Sequence, residues 1–396
     1  MNADLVVFGE DWGAHPSSTQ HLIKRLQHQR KVVWVNSIGM RRPRCSPKDI
    51  KRAAQKLSAM VRQPPHAAGQ GDRLPGFSVV APRGISWPGN PVARYINCRL
   101  LSRQLKQTMA ASGVEKPILW LSLPTAVDIV GKLGERATVY YCGDDFSALD
   151  GVDHQAVTAM EQELAHKADL VLVASSALAK KFPAAKTVVL PHGADVAQFT
   201  ELQPRPADLP CGRPIAGFYG SLSSWVDVQL LADVAQRLPC WNMVLIGPQN
   251  TDLSPLTGLP NVHLLGEKPH HALPGYVQHW QVSMLPFRDN AQIRACNPLK
   301  LREYLSAGRP VVSSDFPALD GYRDLLHVAQ GARGFTEAIL LSSGDFPGNP
   351  SHTLHTLQTW QHVEQLGINP RRRQARVMTE SWDARSKQLN EILDSL

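Results

Sequence analysis

A stretch between residues 297 and 315, NPLKLREYLSAGRPVVSSD, carries charged side chains at a spacing that suits ligand binding. Its apolar residues recur at i, i+3 and i+4, which predicts a short helix that ends at Gly308. Two valines then begin a buried strand. Glu303 on this helix can accept hydrogen bonds from sugar hydroxyls, and Lys300 beside the preceding loop can bind anionic groups. The stretch predicts a site for a ligand with both groups; a plain strand–helix–strand unit with solvated charges is the alternative.

Two other loops place polar residues at the carboxyl ends of predicted strands, where open α/β sheets bind their ligands. Asp144 and Asp145 follow one such strand, and Asp11, Gly13 and His15 follow the first strand of the chain. The two aspartates suit binding or proton transfer, with a capped turn as the alternative. The alternative for His15 is a loop histidine without a role. Because the two aspartates do not form a D-x-D motif, no divalent metal is predicted.

Length and composition narrow the class of protein. A chain of 396 residues exceeds what one core commonly holds, so two or more domains are expected. No apolar run approaches the roughly 18 residues of a membrane-spanning helix. The first residues lack the basic segment that opens a signal peptide. The six cysteines form no C-x-x-C pair, which fits a reducing compartment and predicts a cytoplasmic protein.

Positive charge is concentrated towards the N-terminus. Residues 1–200 hold 25 basic and 16 acidic residues, a net charge of +9, while the remainder is net −1. Residues 1–106 alone hold 18 basic and 5 acidic residues, a net of +13. Together with a basic amphipathic helix expected at 47–61, this predicts an anionic membrane surface as a partner. A basic surface that only aids solubility is the alternative. Nucleic acid is not a predicted partner, because it would rest on charge alone.

Both halves of the chain alternate short apolar strands with helices, which predicts parallel sheets covered on both faces. The proline-rich stretch 203–214 separates the halves. In the second half, a strand leads into Gly220 and Ser221 before a helix expected at 225–238. Small residues at the start of a helix let the backbone approach a phosphate. A phosphate-binding loop is therefore predicted at Gly220.

Two motifs resemble those of retaining family 4 glycosyltransferases, including those that make bacterial cell-surface polysaccharides and teichuronic acid. The stretch at 297–315 resembles their P-x-K-x-x-E-y-x-a-x-G-x-P-V-V signature. The string PHGADVAQF at 191–199 resembles P-N-G-V-D-x-x-x-F, with His192 and Ala194 as departures. The resemblance implies the GT-B fold, in which two doubly wound Rossmann-like domains face each other across a cleft. The implied domains are an acceptor-side domain at 1–202, a nucleotide-sugar domain at 203–375 and a helix at 376–396 that crosses back.

The resemblance also implies an activity and its residues. The activity is transfer of a sugar, with retention, from a nucleoside diphosphate sugar to a lipid-linked or polysaccharide acceptor, without a metal or other cofactor. The expected position in the cell is cytoplasmic, peripheral on the inner membrane face. The implied residues are Gly220, Ser221, Arg294, Asn297, Leu299, Lys300 and Glu303 for the donor, Asp11, Gly13 and His15 for the acceptor, and Asp144 and Asp145 for catalysis.

Two departures from the family pattern keep alternatives open. Ala295 stands eight positions before Glu303, where many relatives carry a second glutamate. Serines follow Gly220, where relatives commonly carry arginine and lysine; Arg294 and Lys300 are the residues expected to compensate. A sugar-nucleotide epimerase on the same fold and a scaffold that has lost catalysis are the alternatives.

Overall fold

Runs of β-branched residues form a parallel sheet in the first half of the chain, ordered β3-β2-β1-β4-β5-β6-β7. Its central strands are buried along their length, as expected of parallel strands covered on both faces. The carboxyl ends of β1 and β5 therefore lie at the same edge of the sheet. The strands are β1 (Leu5–Phe8), β2 (Val32–Val35), β3 (Phe77–Val80), β4 (Ile118–Leu121), β5 (Ala137–Cys142), β6 (Leu170–Val173) and β7 (Thr187–Val189).

The helices between these strands begin at the capping residues that the sequence offers. The Ser17 side chain accepts a hydrogen bond from the backbone N–H of Gln20, and the Ser175 side chain accepts one from the backbone N–H of Leu178. The long second helix ends at Gly113 in the left-handed conformation. The helices are α1 (Ser18–Leu26), α2 (Pro91–Ser112), α3 (His154–Lys167) and α4 (Ser176–Ala179).

A second parallel sheet, ordered β10-β9-β8-β11-β12-β13, forms from the second half. Its strands are β8 (Ile215–Tyr219), β9 (Asn242–Ile246), β10 (Val262–Leu264), β11 (Val282–Leu285), β12 (Val311–Ser313) and β13 (His327–Val328). The helices of this half are α5 (Val196–Thr200), α6 (Val228–Arg237), α7 (Leu273–Val277), α8 (Ala291–Ala295), α9 (Leu299–Ser306), α10 (Gly331–Ser343) and α11 (Pro370–Val377). The predicted short helix with its glycine stop is confirmed, since α9 is followed by Gly308 at φ +70°.

The helix expected at 225–238 begins later than predicted. Its first residue is Val228, because the Asp227 side chain accepts the amide hydrogen of Leu230 and caps the helix there, at 3.0 Å. The backbones of Trp225 and Asp227 instead bond to the segment after β11. Gly220 and Ser221 therefore lie in a loop and do not open a helix, so the predicted helix start is wrong, while phosphate binding by this loop stays a prediction.

The computed structural model describes residues 2–13, 17–37, 75–82, 84–148, 152–343 and 370–396. His15 and the helix expected at 47–61 lie outside the described residues. The chain divides into two compact units, Met1–Pro191 with Trp382–Leu396, and His192–Ser381. The sequence placed this division at residue 202. Within the described ranges, no helix is long and apolar enough to cross a membrane.

The C-terminal helix α12 (Trp382–Asp394) belongs to the first unit and packs against α1. The ring of Trp382 stacks on His21 at 4.7 Å between centroids. Arg25 forms an ion pair with Asp383 at 2.6 Å. An aromatic contact and a charged contact thus anchor the tail to the unit that holds the N-terminus.

Candidate functional site

Two glycines at the carboxyl ends of β8 and β9 bring loop backbone into close contact. Gly220 has φ +135° and Gly247 has φ +143°, conformations that favour glycine. A Cβ on Gly247 would lie 2.1 Å from the carbonyl oxygen of Gly220, and a Cβ on Gly220 would lie 2.1 Å from Cε of Lys300. The side chain of Lys300 therefore crosses over the β8 loop. This places an ammonium group beside loop backbone, an arrangement suited to an anionic ligand.

The serines that follow Gly220 belong to a polar cluster. Asn250 donates a hydrogen bond from Nδ2 to Ser221 Oγ at 2.9 Å, and the hydroxyls of Ser221 and Ser223 lie 2.5 Å apart. These groups can form hydrogen bonds to phosphate oxygens but supply no positive charge. Lys300 is thus the cation that the structure places against this loop.

Glu303 is a buried carboxylate with both oxygens engaged. The Tyr219 hydroxyl donates to Oε2, and His270 Nε2 lies 2.9 Å from Oε1. Tyr304 in turn receives the backbone N–H of Tyr219 on its hydroxyl at 3.1 Å. A carboxylate has about four acceptor positions, so each oxygen keeps a second one for a ligand hydroxyl.

The two charges at Glu303 and His270 support each other. Burial by itself would raise the pKa of Glu303, but the hydrogen bond and charge of His270, together with Tyr219 and Lys300, lower it below its ordinary value. The hydrogen bond to Glu303 raises the pKa of His270, against the opposing effect of burial. Glu303 is therefore a carboxylate and His270 an imidazolium over a pH range that extends to both sides of the ordinary histidine pKa. His270 is a site residue that sequence reasoning missed, because 33 residues separate it from Glu303.

The start of α9 is held by a buried ion pair. Arg302 bonds to Glu380 at 2.7 Å and donates a second hydrogen bond to Oδ1 of Asn297 at 2.6 Å. This fixes the orientation of the Asn297 amide just ahead of Leu299, the first helical residue. The first backbone N–H groups of such a helix have no carbonyl partner within the helix itself.

Arg294 bonds to a residue outside this arrangement. Its side chain is exposed, and its guanidinium makes two hydrogen bonds to Asp289, at 2.6 and 2.8 Å. The same bonds raise its pKa. Ala295, at the position where the family pattern implied a second glutamate, is buried at the end of α8. The structure thus brings together Gly220, Lys300 and Glu303, with Arg294 engaged at the surface.

In the first unit, the two candidate aspartates differ in their surroundings. Asp145 bonds to Lys181 at 2.6 Å and receives both the backbone N–H and the hydroxyl of Ser147. Burial would raise its pKa, but these partners lower it. Asp144 is exposed. The structure therefore holds Asp145 within a turn and presents Asp144 to solvent.

The loop after β1 contains a further carboxylate, Glu10. Asp11 and Gly13 on this loop are exposed. Burial raises the pKa of Glu10, against hydrogen bonds from its own backbone and Gln20, and the charges of Asp11 and Asp144 raise it further. A shifted pKa at the ligand-binding edge of a sheet marks a candidate functional residue. The signal in the sequence was an acidic residue two positions after the end of the first strand.

The described part of the chain contains no cluster of possible metal ligands. Its His, Cys, Asp and Glu side chains form no group of three or more that could hold a metal ion. Metal-independent catalysis stays a prediction.

Two Rossmann-like units with parallel sheets define the GT-B fold, and solved structures show the same fold over nearly the whole chain. HepE of Anabaena, in complex with UDP-glucose, is 15% identical with a TM-score of 0.65, covering 99% of this chain and 100% of that one. The α,α-trehalose 6-phosphate synthase of Burkholderia multivorans is 12% identical with a TM-score of 0.59, covering 100% and 99%. The predicted fold class is confirmed.

Part of the second unit matches a family model. Residues 213–343 match the family model described as Glycosyl transferases group 1, so the resemblance inferred from the motif at 297–315 is confirmed for this region. The chain is also 25% identical over 232 residues to TuaH of Bacillus subtilis, whose name describes a teichuronic acid biosynthesis glycosyltransferase. That match covers 53% of this chain and 58% of TuaH.

Proposed function

We propose that this protein is a glycosyltransferase that transfers a sugar from a nucleoside diphosphate sugar to an acceptor. The observation that carries the proposal is the grouping of Gly220, Lys300 and Glu303 at one edge of the second sheet. All three lie within the region that matches the group 1 domain. HepE, which shares the fold, was crystallised with UDP and with UDP-glucose.

Each group of the donor has a matching partner in this arrangement. The ammonium of Lys300 and the backbone of the β8 loop bind the diphosphate. Negative charge accumulates on the diphosphate as the glycosidic bond breaks, so these groups stabilise the transition state. The second acceptor positions of the Glu303 carboxylate bind the ribose hydroxyls, and Asn297 contacts the transferred sugar.

The reaction exchanges one bond at the anomeric carbon for another. The bond to the diphosphate oxygen breaks, the acceptor oxygen bonds to the same carbon, and the acceptor proton passes to a base. Asp144 orients or deprotonates the acceptor hydroxyl, a role that depends on reach more than on an unusual pKa. The new bond forms on the face that the diphosphate leaves, which retains the configuration.

The acceptor is a lipid-linked or polysaccharide intermediate, and the protein acts in the cytoplasm, peripheral on the inner membrane face. The net charge of +13 over residues 1–106 supports this position, because cationic residues are attracted to anionic lipid headgroups. The likeness to TuaH supports a cell-wall or polysaccharide product.

Calorimetric titration of UDP into Glu303→Gln tests the donor site. Glutamine keeps the size of the side chain and removes the charge, so the loss of charged hydrogen bonds should cost about 1.5–3 kcal/mol, a weakening of roughly ten- to a hundredfold. Glu337→Gln is the matched control, because Glu337 is an exposed glutamate on a helix of the same unit that pairs with Arg333. Equal affinity for UDP in wild type and Glu303→Gln, with intact fold, would remove Glu303 from the site.

Product analysis separates transfer from the other reactions of this fold. UDP-sugar is incubated with and without a membrane extract that supplies lipid-linked acceptors. Sugar incorporated into lipid only when the extract is present supports transfer. Free nucleotide released equally without any acceptor would indicate epimerase-type chemistry, and tight UDP binding without any product would indicate a scaffold.

A further inference from the structure

The outer face of α2 carries a second apolar stripe besides the one that packs into the core. The core side of this helix uses Ala93, Leu101, Leu105 and Met109. A surface helix ordinarily has one such stripe. Large apolar side chains that are exposed to solvent lie on the opposite side and in the loop just before the helix: Ile85, Trp87, Val92, Tyr95, Ile96 and Leu100.

Spacing places the helical members of this set on one face. Val92, Tyr95, Ile96 and Leu100 stand at i, i+3, i+4 and i+8, which are neighbouring positions on a helix. Val92, Tyr95 and Leu100 are each more than half exposed, at 63%, 60% and 51%. Scattered exposed residues need no explanation, but a contiguous apolar set marks an interaction surface.

The loop in front of the helix is held in place. The Asn97 side chain accepts the backbone N–H of Ile85 at 2.7 Å and donates to its carbonyl at 2.9 Å. The backbone N–H of Trp87 bonds to the same carbonyl at 2.8 Å, and Asn90 caps the helix through the N–H of Ala93. Ile85 and Trp87 are thus presented beside the helix by a bonded loop.

Basic residues follow the apolar ones along the same side of the helix. Arg99, Arg103 and Lys106 are exposed on the same side, and residues 84–112 contain no aspartate or glutamate. The Arg99 guanidinium donates to the Tyr95 hydroxyl at 2.7 Å and lies over its ring. Arg94, in contrast, is engaged by carboxylates of the same unit. The face, which we call the α2 face, consists of Ile85, Trp87, Val92, Tyr95, Ile96, Arg99, Leu100, Arg103 and Lys106.

The α2 face lies towards the ligand-binding edge of the first sheet. The chain leaves the carboxyl end of β3 at Val80 and enters α2 at Pro91, so the first turns of α2 lie near that edge. The loops that hold Asp11 and Asp144 lie at the same edge, after β1 and β5. A partner docked on the α2 face is therefore near the candidate acceptor-side loops.

We propose that the α2 face docks on the surface of an anionic lipid bilayer. Trp87 and Tyr95 suit the headgroup level, where amphipathic rings are favoured, and the aliphatic side chains enter the acyl boundary. Arg99, Arg103 and Lys106 bind lipid phosphates. The idea that the bilayer supplies the acceptor rests on the proposed function. Binding to vesicles can be measured without a donor and without sugar transfer.

Two other occupants fit the face less well. If a second copy docked through the same face, the cations of the two copies would face and repel each other. The segment contains no acidic residue that could compensate for this repulsion. Nucleic acid would pair with the cations but leave Val92, Ile96 and Leu100 in water. The bilayer matches both the apolar and the charged components.

The test is cosedimentation of the full chain with vesicles of phosphatidylcholine alone or mixed with phosphatidylglycerol. Wild type should bind the mixed vesicles at low salt and lose at least about tenfold in partitioning to neutral vesicles or at high salt, because the Debye length falls from about 10 Å at 0.1 M to about 3 Å at 1 M. The triple variant Tyr95→Ser, Ile96→Ser, Leu100→Ser should lose a similar factor. So should the triple variant Arg99→Gln, Arg103→Gln, Lys106→Gln.

A matched pair of single variants controls for the loss of an exposed leucine. Leu100→Ser should weaken vesicle binding, whereas Leu341→Ser, at an exposed helical position of the other unit, should not. Brominated lipids should quench tryptophan fluorescence in wild type and quench less in Trp87→Phe. Equal quenching in both would contradict the proposed depth of Trp87.

Three results would overturn the proposal. Vesicle binding that ignores lipid charge or survives both triple variants would place docking elsewhere. A lower melting temperature in the apolar triple variant, without vesicle binding by wild type, would mean that the chain itself covers the face. A concentration-dependent dimer in lipid-free solution that the apolar variant abolishes would identify a second copy as the occupant. Calorimetry with UDP in the same variants keeps the two proposals separate, because unchanged vesicle binding without UDP binding would refute only the proposed function.

Discussion

Replacing His270 by alanine should destabilise the second unit in a pH-dependent way. The change removes a charged hydrogen bond of 2.9 Å from a carboxylate that is only 6% exposed. A hydrogen bond to a charged group contributes about 1.5–3 kcal/mol to the free energy of unfolding, so a loss of that size is expected where both partners are charged. The pKa of Glu303 should rise at the same time, because burial then acts without the opposing imidazolium.

The pH window follows from the directions of the two shifts. The folded-state pKa of His270 is raised above its ordinary value of 6.5, so its contribution to stability is complete below 6.5 and is lost as pH rises through the folded value. The folded-state pKa of Glu303 is lowered below 4.5, so its contribution is complete above 4.5 and is lost as pH falls through the folded value. The difference between wild type and His270→Ala should therefore be largest between 4.5 and 6.5 and shrink on the alkaline side.

Urea unfolding monitored by fluorescence at several pH values measures this difference. His271→Ala is the matched control, because it removes the adjacent, exposed histidine of the same turn. A control variant with the same loss as His270→Ala would show that the turn, not the ion pair, is responsible. A difference that does not shrink as pH rises above the ordinary histidine value, while both proteins stay folded, would refute the assignment of an ion pair.

Further substitutions and a chelator test the candidate sites. Asp144→Asn should lower turnover far more than donor affinity. Asp145→Asn should mainly lower the melting temperature, because Lys181 and Ser147 bind that carboxylate. Full turnover in both variants would show that the pair only forms a structured turn. Gly220→Ala should weaken UDP binding and cost about 1–3 kcal/mol in stability, because its Cβ would collide with Lys300 at a positive φ. Gly258→Ala, also at positive φ but with no atom within 4 Å of its Cβ, is the control for backbone strain alone. A chelator should leave turnover unchanged, and restoration of chelator-lost activity by a divalent ion would contradict the predicted absence of a metal.

The alternation of strands and helices was readable because it depends on local pattern. The strands Leu5–Phe8, Val32–Val35, Ile118–Leu121 and Ile215–Tyr219 are each a short apolar run between polar turns, the pattern by which buried strands are predicted. The start of α6 was not readable in the same way. Trp225 follows a serine pair that suits a helix cap. Its carbonyl, however, accepts the N–H of Arg288 from a distant segment, and the helix is capped by Asp227 instead. A hydrogen bond between distant segments thus accompanies the choice of Asp227 over the serine pair as the helix cap.

The contacts within the site depend on pairs that are far apart in the chain. Glu303 was predicted from its motif, but its partner Tyr219 lies 84 residues away. The ion pair between Asp145 and Lys181 spans 36 residues, so two adjacent aspartates looked equivalent in sequence. The packing of Lys300 over Gly220 requires a contact between α9 and the loop after β8, which only the sheet order brings together. Residue types at strand ends could thus be predicted, whereas their partners and charge states could not.

The carboxylates at the edge of the first sheet show how one fold can separate roles by environment. Burial and neighbouring carboxylates raise the pKa of Glu10, whereas Lys181 and Ser147 lower that of Asp145 below its ordinary value despite partial burial. Groups whose pKa values are pushed apart commonly divide proton transfer from charge stabilisation. Asp145 keeps its charge to lower pH, because Lys181 and Ser147 hold its carboxylate in the turn. The raised pKa, to which the charge of Asp144 contributes, marks Glu10 as a further residue to test beside that aspartate.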